Sequence, residues 1–181
     1  FRRLFSEGTF NAAFVPSYSS ELAIGKKNSQ NFANKIFNIL LVSLLAVVLI
    51  IEIFMPGFIF IIAPGFNENN DKLELTILLT RITFPFLFFV SLSSFFSAVL
   101  NSHNRFAAAS AAPIILNVLL IVVLLYGKYL NDQIVFYLSY AVTLAGIIQL
   151  IFLFYFVKKY YYPKFSFSFK IDDKTKLFFK K

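Results

Sequence analysis

The feature that most constrains this chain is a set of four apolar stretches, each long enough to cross a lipid bilayer. A helix needs about 20 predominantly apolar residues to span the hydrocarbon core. The stretches are 36–63 (a span plus a short outer interfacial turn), 75–100, 107–126 and 134–157. Each must be helical, because lipid offers no partners to backbone N–H and C=O groups. The sequence therefore predicts an all-α, polytopic transmembrane helix bundle.

The composition supports a membrane environment. Of the 181 residues, 59% are hydrophobic and 14% are charged. An ordinary soluble domain has about 45–50% apolar and about 25% charged residues. The apolar surplus must face something other than water, so the lipid bilayer is the first partner that the sequence predicts.

The distribution of positive charge orients the predicted bundle. Short connections make neighbouring spans antiparallel, so residues 21–35, 101–106 and 158–181 fall on one side and residues 64–74 and 127–133 on the other. The first side carries 12 Lys or Arg residues, whereas the second carries two. Because positive loops stay in the cytoplasm, we expect the first side to be cytoplasmic and the second to lie outside.

Several classes of function are not supported by the residues. Most of the net charge of +8 lies beside the apolar stretches, which argues against a nucleic-acid partner. The sequence has no Cys and a single histidine, His103, so it offers neither a cysteine ligand nor a pair of histidines for a metal. It also shows no Ser–His pair, no carboxylate pair within a span and no Gly-rich phosphate loop. We therefore predict no catalytic residues, no metal and no cofactor.

Polar residues are concentrated in the N-terminal segment, residues 1–20. Arg3, Glu7 and Asn11 are spaced i, i+4, i+8 and therefore share one face of a helix. Arg2 makes this polar face wider. One interpretation is an amphipathic helix that lies in the membrane interface. The other is the end of a transmembrane helix whose polar face lines a cavity, where arginine pairs bidentately with phosphate oxygens. Composition alone leaves both interpretations open.

Polar residues inside the spans are expected to have a structural or functional role, because placing an ionisable group at membrane depth costs roughly 2.5–3.5 kcal/mol on insertion scales. Arg81 is predicted either to extend to the outer interface or to face a cavity. Asn117 and Gln149 are predicted to form hydrogen bonds between helices. Pro85 and Pro113 are predicted to kink their spans. The second span also contains small residues that predict close helix packing: Ser91, Ser93, Ser94, Ser97 and Ala98.

Four sequence motifs, in order along the chain, resemble the MurJ (MviN) family of lipid II flippases. They are RRLFSEGTF at 2–10 with AFVP at 13–16, APGF at 63–66, LTRITFP at 79–85, and LNSHNRF at 100–106 leading to Pro113 and LNV at 116–118. The resemblance implies a fold similar to the multidrug/oligosaccharidyl-lipid/polysaccharide exporters, with fourteen helices in two bundles around a central cavity. The chain, which starts at Phe1 rather than Met, is then expected to be an internal fragment of the first bundle, packed against further helices of the same polypeptide.

The resemblance also implies a transporter rather than an enzyme. It implies that lipid II, the lipid-linked peptidoglycan precursor, is flipped from the inner to the outer leaflet of the bacterial cytoplasmic membrane by alternating access. The cavity arginines of the family bind the diphosphate, and Arg2 and Arg3 occupy matching positions, with Glu7 beside them. The remaining candidates, as cavity or structural polar groups, are Asn11, Arg81 and Asn117.

Two other functions fit the same residues. A flippase for a different polyprenyl-diphosphate-linked glycan would need the same cations. A non-transporting membrane scaffold would close the face of Arg2 and Arg3 to water. The energy source is equally open, since a flippase cycle is compatible with ion binding or with the membrane potential acting on cavity charge, at about 2.3 kcal/mol per charge per 100 mV.

Overall fold

The computed structural model describes residues 9–65, 70–129 and 133–164, and within these ranges every regular element is a helix. This confirms the predicted all-α class. The elements in chain order are α1 (Thr9–Ile24), α2 (Lys26–Ile53), α3 (Met55–Ile62), α4 (Asn70–Thr83), α5 (Phe86–Ser102), α6 (Phe106–Tyr126), a 3₁₀ turn (Gly127–Tyr129) and α7 (Ile134–Val157).

Four helical segments of the described residues are long and apolar enough to cross a membrane. They are α2, the pair formed by α4 and α5, α6, and α7. Their number and order are those that hydropathy predicts. The most extensive packing joins α7 to α5 and to α6, while α1 packs against α2 and α5. The described part of the chain is therefore a helix bundle with α5 and α7 at its centre.

The first predicted loop, residues 21–35, is helical in the structure, which corrects that boundary. The α1 helix continues to Ile24, and α2 begins at Lys26, ten residues before the predicted start at Ile36. Gly25 separates the two helices with φ 157° and ψ 153°, a conformation that residues with a side chain rarely adopt. Polar residues that looked like a loop thus extend the helix beyond the apolar stretch.

The two span prolines behave differently. At Pro85 the helix is interrupted, since α4 ends at Thr83 and α5 begins at Phe86 after a turn. A proline has no N–H to continue the helical ladder, which explains this break. At Pro113 the helix α6 continues without interruption.

An aromatic core joins α1, α2 and α5 to the segment that follows α7. The Phe95 side chain is fully buried. Its ring centroid lies 5.2 Å from that of Phe14, 5.4 Å from that of Phe37 and 5.7 Å from that of Tyr161. Helices in lipid associate through packing rather than by exclusion of water, so these contacts are a main source of cohesion in the bundle.

The turn between α5 and α6 is fixed by backbone hydrogen bonds. The N–H of Arg105 donates to the carbonyl of Leu100 at 2.9 Å, and that of Asn104 donates to Asn101 at 3.0 Å. Asn104 has φ 59°, as is common for the residue just after a helix end in this Schellman arrangement. The motif holds His103 and Arg105 in defined positions at the end of α5.

Gly146 is required for the contact between α7 and α5. A Cβ atom at this position would lie 2.8 Å from Phe86 Cδ2 and 3.0 Å from Phe89 Cβ. Overpacking of this kind costs about 1–3 kcal/mol, so we expect Gly146→Leu to lower the thermal unfolding temperature of the detergent-solubilised protein. Gly57→Leu is the control, since a Cβ there meets nothing within 4 Å; equal unfolding temperatures for the two variants would contradict this account.

Candidate functional site

A polar cavity of about 260 Å³ lies between α1, α5, α6 and α7. Its polar lining comes from all four helices: Asn11 of α1, Ser93, Ser94, Ser97 and Asn101 of α5, Ser110 of α6 and Gln149 of α7. A cavity with this lining is unusual inside a bundle of apolar helices. We take it as the candidate functional site.

The wall contributed by α5 follows from its sequence spacing. Ser93, Ser97 and Asn101 are four residues apart, which aligns them on one face of the helix. At 1.5 Å per residue the first and last of them are about 12 Å apart along the axis. Asn101 is next to the last residue of α5, Ser102, so the polar wall runs from the middle of the helix to the end that the charge pattern assigns to the cytoplasm.

Two polar side chains of the cavity are deeply buried, and two polar atoms in its wall lack a partner among the described residues. The exposed fraction is 4% for Ser93 and 3% for Gln149. Neither Ser93 Oγ nor Asn11 Oδ1 has a hydrogen-bond partner among the described residues. A buried polar group without a partner costs about 1–3 kcal/mol. The cavity wall therefore contains buried polar atoms that the described helices leave without a hydrogen bond.

The polar groups of the cavity wall are amides and hydroxyls, without an ionisable side chain among the described lining residues. Within the same residues no group of three or more His, Cys, Asp or Glu side chains is placed to hold a metal ion. The described wall is therefore suited to neutral groups that both donate and accept hydrogen bonds. A diphosphate needs cations from elsewhere.

The structure describes only one of the four candidate residues on the N-terminal polar face. Arg2, Arg3 and Glu7 lie outside the described residues, and their predicted cavity role stays a prediction. Asn11 lies inside α1 and lines the cavity.

The other two sequence candidates are not among the residues that line the cavity. Arg81 is exposed on α4 and lies close enough to Glu52 for their charges to interact. Asn117 is exposed on α6, whose buried residue is Ala112. Neither residue lines the cavity with Asn11, and the roles predicted for both stay predictions.

Comparison with known proteins identifies the family. The family model described as "Lipid II flippase MurJ" matches residues 1–181. A relative named "Probable lipid II flippase MurJ" from Rickettsia prowazekii (strain Madrid E) is 42% identical over 160 residues, which cover 88% of this chain and 31% of the relative. The chain belongs to the MurJ family.

Other members of the MurJ family match a similar part of the chain. A "Probable lipid II flippase MurJ" from Rhizobium tropici is 41% identical over 155 residues, covering 83% of this chain and 29% of the relative. The "Lipid II flippase MurJ" of Burkholderia cenocepacia is 32% identical over 153 residues, covering 82% of this chain and 29% of the relative. The chain spans about a third of the length of these relatives. Family membership and the four apolar helices together make it part of a multi-pass membrane protein.

In this MurJ-family chain a network of side chains closes the end of the bundle next to the turn between α5 and α6. The Tyr18 hydroxyl and His103 Nε2 are hydrogen-bonded at 3.2 Å. The His103 ring stacks on Tyr160 with 4.5 Å between centroids. Arg105 Nε–H donates to the Tyr160 hydroxyl at 2.8 Å. These contacts tie α1 to the α5–α6 turn and to the segment after α7.

A second set of hydrogen bonds holds the segment after α7 against α2. The Tyr161 hydroxyl donates to Asn34 Oδ1 at 2.8 Å, and the backbone N–H of Lys164 donates to the same oxygen at 3.0 Å. Tyr161 is fully buried, and that burial raises the pKa of its hydroxyl. The phenol therefore stays protonated and keeps its role as donor.

The environment of His103 predicts a pH dependence of stability. Burial, and then the positive charge of Lys26, lower the pKa of His103 below the value of about 6.5 expected in the unfolded chain. Its contribution to stability is therefore complete above about pH 6.5 and is lost as the pH falls through the lowered folded-state pKa. We expect the unfolding temperature to drop more for wild type than for His103→Gln between about pH 7.5 and about pH 5. An equal drop in both proteins would show that His103 is not the titrating group.

Sequence reasoning assigned the cavity serines to close helix packing and Gln149 to a hydrogen bond between helices. The structure buries Ser91, Ser93 and Ala98 in the packed part of α5, and it also places Ser93, Ser97 and Gln149 on the cavity wall. The spacing of Ser93, Ser97 and Asn101 was the signal for a polar face of α5. That spacing cannot distinguish a cavity from a packed contact, because the distinction depends on which side chains the neighbouring helices supply.

Proposed function

We propose that the protein flips lipid II from the inner to the outer leaflet of the bacterial cytoplasmic membrane by alternating access. The observation that carries this proposal is the match of the whole chain to the lipid II flippase family. The relative from Burkholderia cenocepacia bears the same name without qualification. A polar cavity within a bundle of membrane-spanning helices supports the same function, since a hydrophilic headgroup needs a polar route through lipid.

The chain is proposed to form part of the first helix bundle of that transporter. The charge pattern supports an orientation with residues 21–35, 101–106 and 158–181 on the cytoplasmic side. The polar wall of α5 ends at Asn101, next to the turn on that side. In this orientation the cavity lies closest to the leaflet in which lipid II is made available, as loading of the substrate requires.

The roles of individual residues follow from the chemistry of the substrate. Arg2 and Arg3 are proposed to bind the diphosphate, because a guanidinium group pairs bidentately with phosphate oxygens. Asn11, four residues beyond Glu7 on the predicted polar face, connects that face to the cavity between α1, α5, α6 and α7. In this proposal the cations bind the diphosphate, and neutral polar groups bind the rest of the headgroup.

The test is complementation of a bacterium depleted of its own lipid II flippase. The full-length protein, produced from a plasmid, is expected to restore growth and normal cell shape. Lysis despite normal amounts of protein in the membrane would contradict the proposal. Rescue only of a strain that lacks a capsule or O-antigen flippase would instead indicate that the protein carries another polyprenyl-diphosphate-linked glycan. Rescue of neither strain would favour the non-transporting membrane scaffold.

A further inference from the structure

We propose that the polar cavity is a binding subsite for a neutral carboxamide group of the headgroup, such as the acetamido group of an amino sugar. This inference rests on the proposed function, which supplies a headgroup that bears such amides. It assigns a role to residues that lie outside the motif of Arg2 and Arg3. The argument depends on the type of polar group in the wall, on its burial and on the size of the cavity.

The wall offers the hydrogen bonds that a carboxamide needs. Asn11, Asn101 and Gln149 enter the cavity from three different helices, and an amide side chain both donates and accepts. A carboxamide ligand has the same two capacities, so it can satisfy such a wall on both sides. Ser93 Oγ and Asn11 Oδ1 lie buried behind this surface and have no hydrogen-bond partner among the described residues.

The electrostatics of the wall disfavour a charged ligand. The described lining residues carry amides and hydroxyls, without an ionisable side chain. Moving a charge to a buried site without an opposite charge costs far more than moving an amide that finds hydrogen bonds. The described part of the wall therefore fits a neutral part of the headgroup better than it fits the diphosphate.

The size of the cavity limits what it can hold. Its volume of about 260 Å³ lies just below the range of about 300–1,000 Å³ that is typical of sites for drug-sized ligands. The cavity thus has room for one substituted sugar or amide group, and the rest of a glycopeptide headgroup would extend beyond it. It would fix the position of the headgroup while the diphosphate is held by cations.

Two neighbouring serines on α5 provide a matched pair for the first experiment. Ser91 and Ser93 are both buried, at 1% and 4% exposed, and both hydroxyls lack a partner among the described residues. Ser93 lines the cavity and Ser91 does not. In a full-length protein otherwise free of cysteine, we expect a small neutral thiol reagent to modify Ser93→Cys at least about ten times faster than Ser91→Cys. N-acetylglucosamine is expected to slow the modification of Ser93→Cys, and glucose is not.

Each outcome of this labelling either supports or overturns the proposed subsite. Equal protection of both cysteines would show that other parts of the protein fill the cavity, which would overturn the subsite. Modification that is slowed equally by N-acetylglucosamine and glucose, or by neither, would also overturn it. The experiment uses soluble sugars and does not require transport.

The second experiment measures binding of two polyprenyl-diphosphate lipids that differ only in the acetamido group of their sugar. Removing one hydrogen bond to a neutral ligand weakens binding by about 3- to 10-fold. Ser93→Ala and Gln149→Leu are expected to weaken binding of the N-acetylated lipid by this factor and to leave the lipid with a plain hexose unchanged. Ser91→Ala, the control, should change neither.

This design separates the inference from the proposed function. Equal weakening for both lipids would assign Ser93 and Gln149 a structural role and overturn the inference, while the proposed function would stand. Failure of the wild-type protein to bind either lipid would count against the proposed function. In that case, selective protection of Ser93→Cys by N-acetylglucosamine would still support the subsite. A lack of such protection would overturn the subsite as well.

Discussion

Replacing Arg3 with alanine in the full-length protein is expected to abolish rescue of a flippase-depleted bacterium. The proposed substrate carries a diphosphate into a region where charge is poorly solvated, so a paired cation is needed there. Hydrogen bonds to charged groups contribute about 1.5–3 kcal/mol each. Losing one of them weakens binding by about 10- to 150-fold, which is sufficient to stop growth when transport limits cell-wall synthesis. Growth is measured against the amount of protein in the membrane.

Two variants control for charge and for position. Arg3→Lys keeps the positive charge but loses the planar fork that binds two oxygens at once, so we expect partial rescue. Lys72→Ala removes a positive charge from α4, in the segment that the charge pattern assigns to the outside, and should rescue like wild type. Normal growth of Arg3→Ala at wild-type expression would remove this residue from the proposed site.

Replacing Phe95 with alanine is expected to cause the largest loss of stability. Its buried ring contacts aromatic side chains of α1 and α2 and of the segment after α7, and it stands 5.8 Å from the neighbouring Phe96 ring. Truncation of a buried phenylalanine costs about 3–5 kcal/mol, because the surrounding side chains relax only partly into the space. The measurement is the midpoint of unfolding in a denaturing detergent.

The matched control is Phe60→Ala on α3, where the side chain is 60% exposed within the described residues. This variant removes the same atoms without opening a space in the core, so its midpoint should remain close to that of wild type. If both variants unfolded at the same detergent concentration, the aromatic core would not hold α1, α2 and α5 together.

Hydropathy alone predicted the number and order of the spans, because an apolar stretch long enough to cross the bilayer has few alternatives to a helix. The bounds of α7 are those predicted, 134–157. The start of α2 at Lys26 was missed, since hydropathy marks the portion of a helix in lipid and not the portion that extends into water. At Pro85, too, the sequence favoured a distorted helix, and the helix is interrupted there.

The placement of single polar side chains could not be predicted from the sequence. Asn117 and Gln149 are chemically similar, and both were predicted to form hydrogen bonds between helices. Asn117 is exposed on α6, whereas Gln149 is 3% exposed on α7 and lines the cavity. Gln149 lies where α5, α6 and α7 border the cavity, whereas the side of α6 that carries Asn117 is exposed among the described residues. Burial therefore depends on tertiary neighbours that no local pattern encodes.

The central proposal is that this protein moves lipid II across the membrane, and transport by the purified protein tests it most directly. The full-length protein is reconstituted into sealed vesicles that contain lipid II, and an enzyme that cannot cross the membrane cleaves the headgroups exposed outside. We expect wild type to make lipid II from the inner leaflet accessible to the enzyme, and Arg3→Ala to leave it protected. Protection of the inner pool with correctly folded wild-type protein, under an imposed membrane potential and ion gradient, would contradict the claim.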